Sequence, residues 1–525
     1  MWNSLPANDI CERARQSRDA RFDGRFFVAV LTTGIFCRPT CPARTPAAEN
    51  VRYFPSVATA LEAGYRPCLR CRPELAPDAP PVADRSRTVQ AALSHIEAGA
   101  LDEGSVAALA ARVGLSSRQL TRQFVAELGV APGAVARARR IAVARQLIDE
   151  TELPFTRIAA LAGFGSLRRF NETVQALWSR PPGALRRAKR PRPGADDPRA
   201  GLRDTRGGGS QSPIGEEVLR LQLALRPPYH QAWMLEYLRG RAVPGVEAVQ
   251  ADTWVRTLPS GELRVRLPAP DGTASQGGGH VLQVSLSGDL GQLRLADVLR
   301  RVRRVFDVGA DGRAIDAHLG AAARLRDVVG RDPGLRVPGG WDGFELAVRA
   351  VLGQQVSVAG ATTLAGRLVQ RFGAPAGEGR ALFPDAHALV DANVAAIGMP
   401  ETRGEAIRQL ARATLDGRVQ LDAALAPEEL AAQLVALPGI GPWTAQYVAM
   451  RALGHPDAFP AEDIVLRKVA DPERLLSARE LLHMAETWRP WRAYAVMYLW
   501  RDAGHRRAAA ARARTTDRGR TAATH

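Results

Sequence analysis

A chain of 525 residues is more than one hydrophobic core usually serves, and at roughly 150 residues per domain it implies three or four folded units. With 46% hydrophobic and 24% charged residues, and no apolar run long enough for a membrane helix, it is neither disordered throughout nor membrane-spanning. Lys and Arg total 71 against 54 acids, and the net charge of +17 favours a polyanionic partner, nucleic acid before membrane. The excess is almost wholly arginine, since Lys189 and Lys468 are the only lysines. No charged-then-apolar start resembles a secretion signal, so the chain is expected in the cytoplasm.

The expected fold class is multidomain, mainly α with α+β parts. Residues 1–78 are short and turn-rich, ending at Pro73, Pro77, Pro80 and Pro81. Residues 86–187 read as helical. Residues 188–213, with Pro191, Pro193, Pro198 and Gly207 to Gly209, read as a flexible linker. Residues 214–297 mix a helix with alternating strands, such as Leu263 to Leu267 and Val281 to Leu286. Residues 298–505 are again helical, and 506–525 form an Ala/Arg/Thr-rich tail expected to be disordered.

All five cysteines lie in the first 71 residues. An odd count at one end argues for a reducing compartment and a local metal site rather than a disulfide framework. Three residues separate Cys37 from Cys41 and two separate Cys68 from Cys71, with 26 residues between the pairs. Such spacing lets four thiolates surround one zinc ion, which would also help so small a unit fold. From spacing alone the zinc site is structural. The flanking residues say more: Gly34-Ile35-Phe36-Cys37-Arg38-Pro39-Thr40-Cys41, Phe54, and Gly64-Tyr65-Arg66-Pro67-Cys68-Leu69-Arg70-Cys71 resemble the N-terminal domain of the Ada adaptive-response proteins. The resemblance implies that Cys37 accepts the methyl group of a DNA methylphosphotriester, in a stoichiometric reaction that consumes the protein. A metal-bound thiol is deprotonated near neutral pH, which suits that role. Methylation would remove a negative charge and so strengthen DNA binding. Arg38, Arg44, Arg66 and Arg70 are candidates for flanking phosphates, and Cys11 for a small core residue.

Val106 to Phe124 fits two short helices joined at Gly114, with Ser116 or Ser117 capping the second. Ile158 to Phe170 repeats the pattern around Gly163, with a connecting helix over Val135 to Glu150. Arg118, Gln119 and Arg122 in the first unit, and Arg168 and Arg169 in the second, fall where side chains reach bases or phosphates. Two such units at this spacing, closed by Arg180-Pro181-Pro182, resemble the DNA-binding domain of AraC-type regulators. The resemblance implies promoter DNA and RNA polymerase as partners.

Leu437-Pro438-Gly439-Ile440-Gly441-Pro442-Trp443 reads as a helix-hairpin-helix, with Gly439 and Gly441 offering amides to a phosphate. Asp463 follows Gly441 by 22 residues. A lone Asp there is usually a helix cap. Hairpin plus downstream acid instead resembles helix-hairpin-helix DNA glycosylases, and residues 218–505 resemble the AlkA-type 3-methyladenine glycosylases, which start with a TBP-like α+β domain. That resemblance makes Asp463 the catalytic carboxylate, with Glu462 a weaker neighbour. Trp443, Tyr447 and Trp500 become walls of the base pocket, and Gln355 stands where a relative has a leucine wedge. Lyase-competent relatives have a lysine where this chain has Trp443, so hydrolysis without strand cleavage is expected.

The combined expectation is a sensor and transcriptional regulator of alkylation damage joined to a base-excision glycosylase, in the bacterial cytoplasm and nucleoid. Two alternatives stay open: a regulator with a catalytically silent glycosylase half, or a glycosylase with a purely structural zinc domain. No cysteine follows Cys71 in these 525 residues, so direct repair of O6-methylguanine is not expected.

Overall fold

The computed structural model describes residues 5–19, 22–76, 86–189, 218–268, 281–289, 294–377, 379–421 and 427–522. Its contacts divide into two compact units. One comprises 1–224, 258–265 and 282–300; the other comprises 225–257, 266–281 and 301–525. Most of the expected linker at 188–213 lies outside the described residues. Among described residues no helix is long and apolar enough to cross a membrane.

The first unit opens with helix Asn8–Gln16 and strands β1 (Phe27–Val30), β2 (Ile35–Cys37), β3 (Val51–Phe54) and β4 (Arg66–Pro67). These form one sheet in the order β3-β1-β2-β4. β1 runs antiparallel to β2 and β3, whereas β4 runs parallel to β2 with Phe36 opposite Pro67. That parallel pair brings Cys37, the last residue of β2, and Cys68, just beyond β4, to one end of the sheet. Cys11 is fully buried with Ala14, Phe26 and Val28, as expected of a small core residue.

Seven helices follow, from Arg87–Glu97 to Pro182–Lys189. Val89, Ile96, Leu109, Leu120 and Phe124 form one core, recurring at helical spacing on their elements. In the second helix-turn-helix, Gly163 has φ +83°, and a Cβ there would sit 2.3 to 2.5 Å from the Asp102 carboxyl. Asp102 is paired with Arg139, so the turn requires glycine for both conformation and space. This unit also holds strands β5 (Leu219–Ala224), β8 (Gly261–Arg266) and β9 (Val281–Gly288), ordered β5-β9-β8. Alternate residues of β5 are buried, as the period-two pattern requires.

In the second unit β6 (Glu247–Gln250) pairs antiparallel with β7 (Thr253–Leu258), Val249 opposite Trp254. The rest is helical around two cores. One gathers Val351, Leu368, Ile407, Leu430 and Val448; the other gathers Ile315, Leu335, Met450, Leu466 and Tyr498.

Two sequence expectations shift. The boundary placed at 297 falls inside helix Leu295–Val305. Of the tail expected to be disordered, residues 506–522 continue helix Arg492–Ala522, and 523–525 lie outside the described residues. Alanine and arginine are among the best helix formers, and a helix already nucleated by packing propagates at little cost.

Candidate functional sites

The four thiols of Cys37, Cys41, Cys68 and Cys71 lie within 4.8 Å of one another. Sheet geometry delivers the pairs: the Cys68 amide donates to Phe36 O at 3.0 Å, and the Cys41 amide to Arg38 O at 3.1 Å. The Arg38 amide donates to Cys71 Sγ at 3.3 Å, a contact that favours the thiolate. Hydrogen bonds to its neighbours hold the Cys37 proton and raise that thiol, while the bond from Cys37 lowers Cys68 and brings Cys41 to about 7. One divalent cation satisfies all four sulfurs, and an all-thiolate tetrahedral set suits zinc. The four cysteines are therefore placed to bind one metal ion.

Cys37 is half-buried and lines a cavity of about 790 Å³, with Thr33, Arg44, Arg66, Arg70 and Trp178 also on its walls. Arg44 and Arg70 are exposed, as a phosphate contact needs. Arg38 is not: its Nε donates to Asp23 Oδ1 at 2.6 Å and a second nitrogen pairs with the same carboxylate. It braces the loop between Cys37 and Cys41. Arg66 donates to Ser179 Oγ at 2.7 Å, beyond the last turn of helix Leu167–Trp178.

In the first helix-turn-helix, helices Val106–Arg112 and Ser117–Leu128 flank Gly114, whose φ is +71°. Ser116 Oγ accepts from the Gln119 amide at 3.3 Å, and Gln119 Oε1 accepts from the Ser116 amide at 3.0 Å. This reciprocal cap engages the Gln119 side chain that the sequence reading gave to DNA. Arg118 and Arg122 are exposed on the second helix. In the second unit Ser166 caps Leu167–Trp178 by accepting from the Arg169 amide at 3.2 Å. Arg169 is exposed, and so is Arg168, which pairs with Glu172 at 2.8 Å.

The hairpin joins helices Pro427–Val435 and Pro442–Ala452. Gly439 has φ +83°, and a Cβ there would lie 2.8 Å from Ala406 Cβ. Gly441 has φ −88° and open space around it, so it needs no special conformation but leaves room for a close backbone approach. Gln354 Nε2 ties the neighbouring loop to this turn, donating to Gly439 O at 3.0 Å and Thr444 Oγ1 at 3.1 Å. Next to it Gln355 is exposed with φ +57°, a left-handed conformation rare outside glycine.

Asp463 is 7% exposed and fully engaged. Oδ1 accepts from the Val465 and Leu466 amides at 2.8 and 2.9 Å, capping helix Ile464–Ala470. Oδ2 accepts from Trp443 Nε1 at 2.9 Å. The helix cap and the acceptor of the Trp443 indole are thus the same group. The Trp443 ring stacks on Tyr447 with centroids 5.3 Å apart and planes at 14°, and Tyr447 meets Trp500 at 6.2 Å. Glu462 is exposed and makes none of these contacts. Sequence reasoning missed the indole bond, because no local pattern announces a contact across 20 residues.

Four family descriptions match the chain. They are the metal-binding domain of Ada over residues 10–74 and a helix-turn-helix domain over 109–188, then the AlkA N-terminal domain over 220–342 and the HhH-GPD superfamily of base excision DNA repair proteins over 348–493. A probable bifunctional transcriptional activator/DNA repair enzyme AlkA of Mycobacterium tuberculosis is 42% identical over 504 residues, covering 94% of this chain and 96% of its own. DNA-3-methyladenine glycosylase 2 of Escherichia coli is 34% identical across 53% of this chain and 96% of its own length. The bifunctional transcriptional activator/DNA repair enzyme Ada of E. coli is 38% identical across 28% of this chain and 40% of its own.

Proposed function

Because this chain belongs to the family of AlkA bifunctional transcriptional activators and DNA repair enzymes, we propose that it excises alkylated purines at Asp463 and accepts a methyl group from damaged DNA backbone on Cys37. The observation that carries the excision reading is the buried Asp463 carboxylate hydrogen-bonded to the edge of an aromatic stack. Alkylated purines such as 3-methyladenine carry positive charge, which weakens the glycosidic bond before any enzyme acts. A flipped cationic base against Trp443, Tyr447 and Trp500 gains about 0.5–2 kcal/mol per good cation–π contact. Asp463 stabilises the positive charge that develops on the sugar and orients the water that replaces the base. Gly439 and Gly441 offer hairpin amides to the backbone phosphate, and Gln355 fills the gap left by the flipped base.

At the amino-terminal site, a bound zinc supplies the charge that keeps the thiols ionised. Cys37 Sγ attacks the methyl carbon; the S–C bond forms as the methyl–oxygen bond breaks, and an ordinary phosphodiester anion leaves. Arg44, Arg66 and Arg70 hold the surrounding phosphates, while Arg118, Arg122, Arg168 and Arg169 read promoter DNA. RNA polymerase is the expected partner of the promoter-bound form, in the cytoplasm. Incubating purified protein with methylated DNA tests the reading: free 3-methyladenine appears and the strand stays intact until alkali is added. Base release accompanied by strand nicking would contradict hydrolysis without a lyase step.

A further inference from the structure

Behind the aromatic stack lies a set of buried charges that excision by Asp463 does not use. Arg451, one turn beyond Tyr447 on helix Pro442–Ala452, is 6% exposed. One of its terminal nitrogens donates to Tyr447 Oη at 2.5 Å, and its Nε to Pro338 O at 2.7 Å. Arg241 and Arg451 stand over the Tyr237 ring at 3.7 and 5.1 Å. Alongside, Arg256 and Arg349 share the carboxylates of Glu247 and Glu345. Four guanidinium groups thus face two carboxylates in a largely buried space. Buried charge without a counter-charge is expensive, and the imbalance calls for another anion.

We propose that Tyr447 supplies it: Arg451 and Arg241 draw negative charge onto the Tyr447 oxygen, turning this wall of the base pocket into a phenolate that selects bases carrying positive charge. The inference rests on the excision reading above and makes Arg451 a positioning residue acting through Tyr447. A phenolate ring presents a more negative face than a phenol, and Arg451, which donates to its oxygen, also lies 5.4 Å from its ring centroid.

The surroundings sort the protons accordingly. Burial alone would raise the Tyr447 phenol, but Arg451 and Arg241 outweigh it and bring it down to about 7. Burial pushes Tyr237 up to about 12 despite the same two arginines. The Tyr237 hydroxyl is buried with no hydrogen-bond partner, and it keeps its proton. From the last helix, Trp500 meets Tyr447 without charge, and Asp463 lies on the edge of Trp443.

Two measurements on the full-length protein test this. Ultraviolet titration of tyrosinate, independent of catalysis, is expected to show one group ionising near pH 7 that disappears in Tyr447→Phe and moves upward in Arg451→Gln. The ratio of 3-methyladenine release (cationic nucleoside) to hypoxanthine release (neutral nucleoside) is expected to rise up to about tenfold between about pH 6 and about pH 8. In Tyr447→Phe the ratio stays flat, and in Arg451→Lys part of the rise survives. A wild-type protein with no tyrosinate below about pH 9, or a ratio that changes equally in Tyr447→Phe, overturns the proposal. If neither base is released at any pH, the excision reading fails, and the absorbance titration still decides the charge on Tyr447.

Discussion

Replacing Asp463 by asparagine separates its two roles. The carboxylate receives three hydrogen bonds: two backbone amides on Oδ1 and the Trp443 indole on Oδ2. Asparagine caps helices as well as aspartate does, so the Oδ1 side loses little. On the other side the new amide nitrogen meets the indole N–H, two donors with no acceptor between them. Leaving buried donors unpaired costs about 1–3 kcal/mol, which is the expected destabilisation of Asp463→Asn. Trp443→Phe removes the indole donor, so the double variant should be less destabilised than the sum of the singles by a similar amount. Catalysis should not recover: losing the carboxylate is expected to lower 3-methyladenine release by about a hundredfold or more in both Asn variants. Chemical unfolding of the four proteins of this cycle, with base release assayed on each, measures both effects. Strictly additive destabilisation would refute the hydrogen-bond argument. Excision in Asp463→Asn within a few-fold of wild type would refute the catalytic one.

Other sites give sharp expectations. Glu74 is buried with neither carboxylate oxygen hydrogen-bonded, and burial, against the pull of Arg145, raises its pKa from 4.5 to about 7. A raised carboxyl stabilises the fold fully below its unfolded value and loses that contribution as pH rises through about 7. Wild type should therefore lose roughly 3 kcal/mol between about pH 4.5 and a pH above 7, and Glu74→Gln should not; parallel unfolding curves for the two proteins would contradict this. In the first helix-turn-helix, Gln119→Ala should cost about 1 kcal/mol of stability through the lost cap and leave the salt dependence of DNA binding unchanged. Arg118→Ala should instead reduce that salt slope by about one with little effect on stability, and a loss of DNA affinity in Gln119→Ala at an unchanged stability would show that Gln119 is a DNA contact.

What could be read without a structure follows the range of the interactions. Four cysteines in two close pairs, the glycine of each helix-turn-helix and the Leu437–Trp443 hairpin are local signals, and each element formed where its pattern lay. Contacts between distant residues were hidden. Arg38 looked like a phosphate ligand because it is basic and beside Cys37, yet Asp23, fifteen residues earlier, holds it. Gln119 stood at a position open to DNA, but the capping geometry of Ser116 engages its side chain. Asp463 could be read as cap or as carboxylate site; Oδ1 makes the cap, and Oδ2 meets the indole of Trp443, a contact no local pattern announces. The buried network behind Tyr447 draws arginines from positions 241, 256, 349 and 451, which no periodicity links. Net charge pointed to nucleic acid; it could not reveal that the charges at 214–505 balance, leaving the excess of +17 elsewhere in the chain.

The central claim, that one chain holds both a methyl acceptor and a base-excision centre, is tested most directly by following both products in one reaction with methylated DNA. Peptide mass analysis is expected to find a single methyl group on Cys37, saturating at one per chain, while 3-methyladenine release continues over many turnovers and persists in Cys37→Ser. Methyl on a different cysteine, or none under saturating substrate, would contradict the acceptor; release that survives Asp463→Asn would contradict the excision centre.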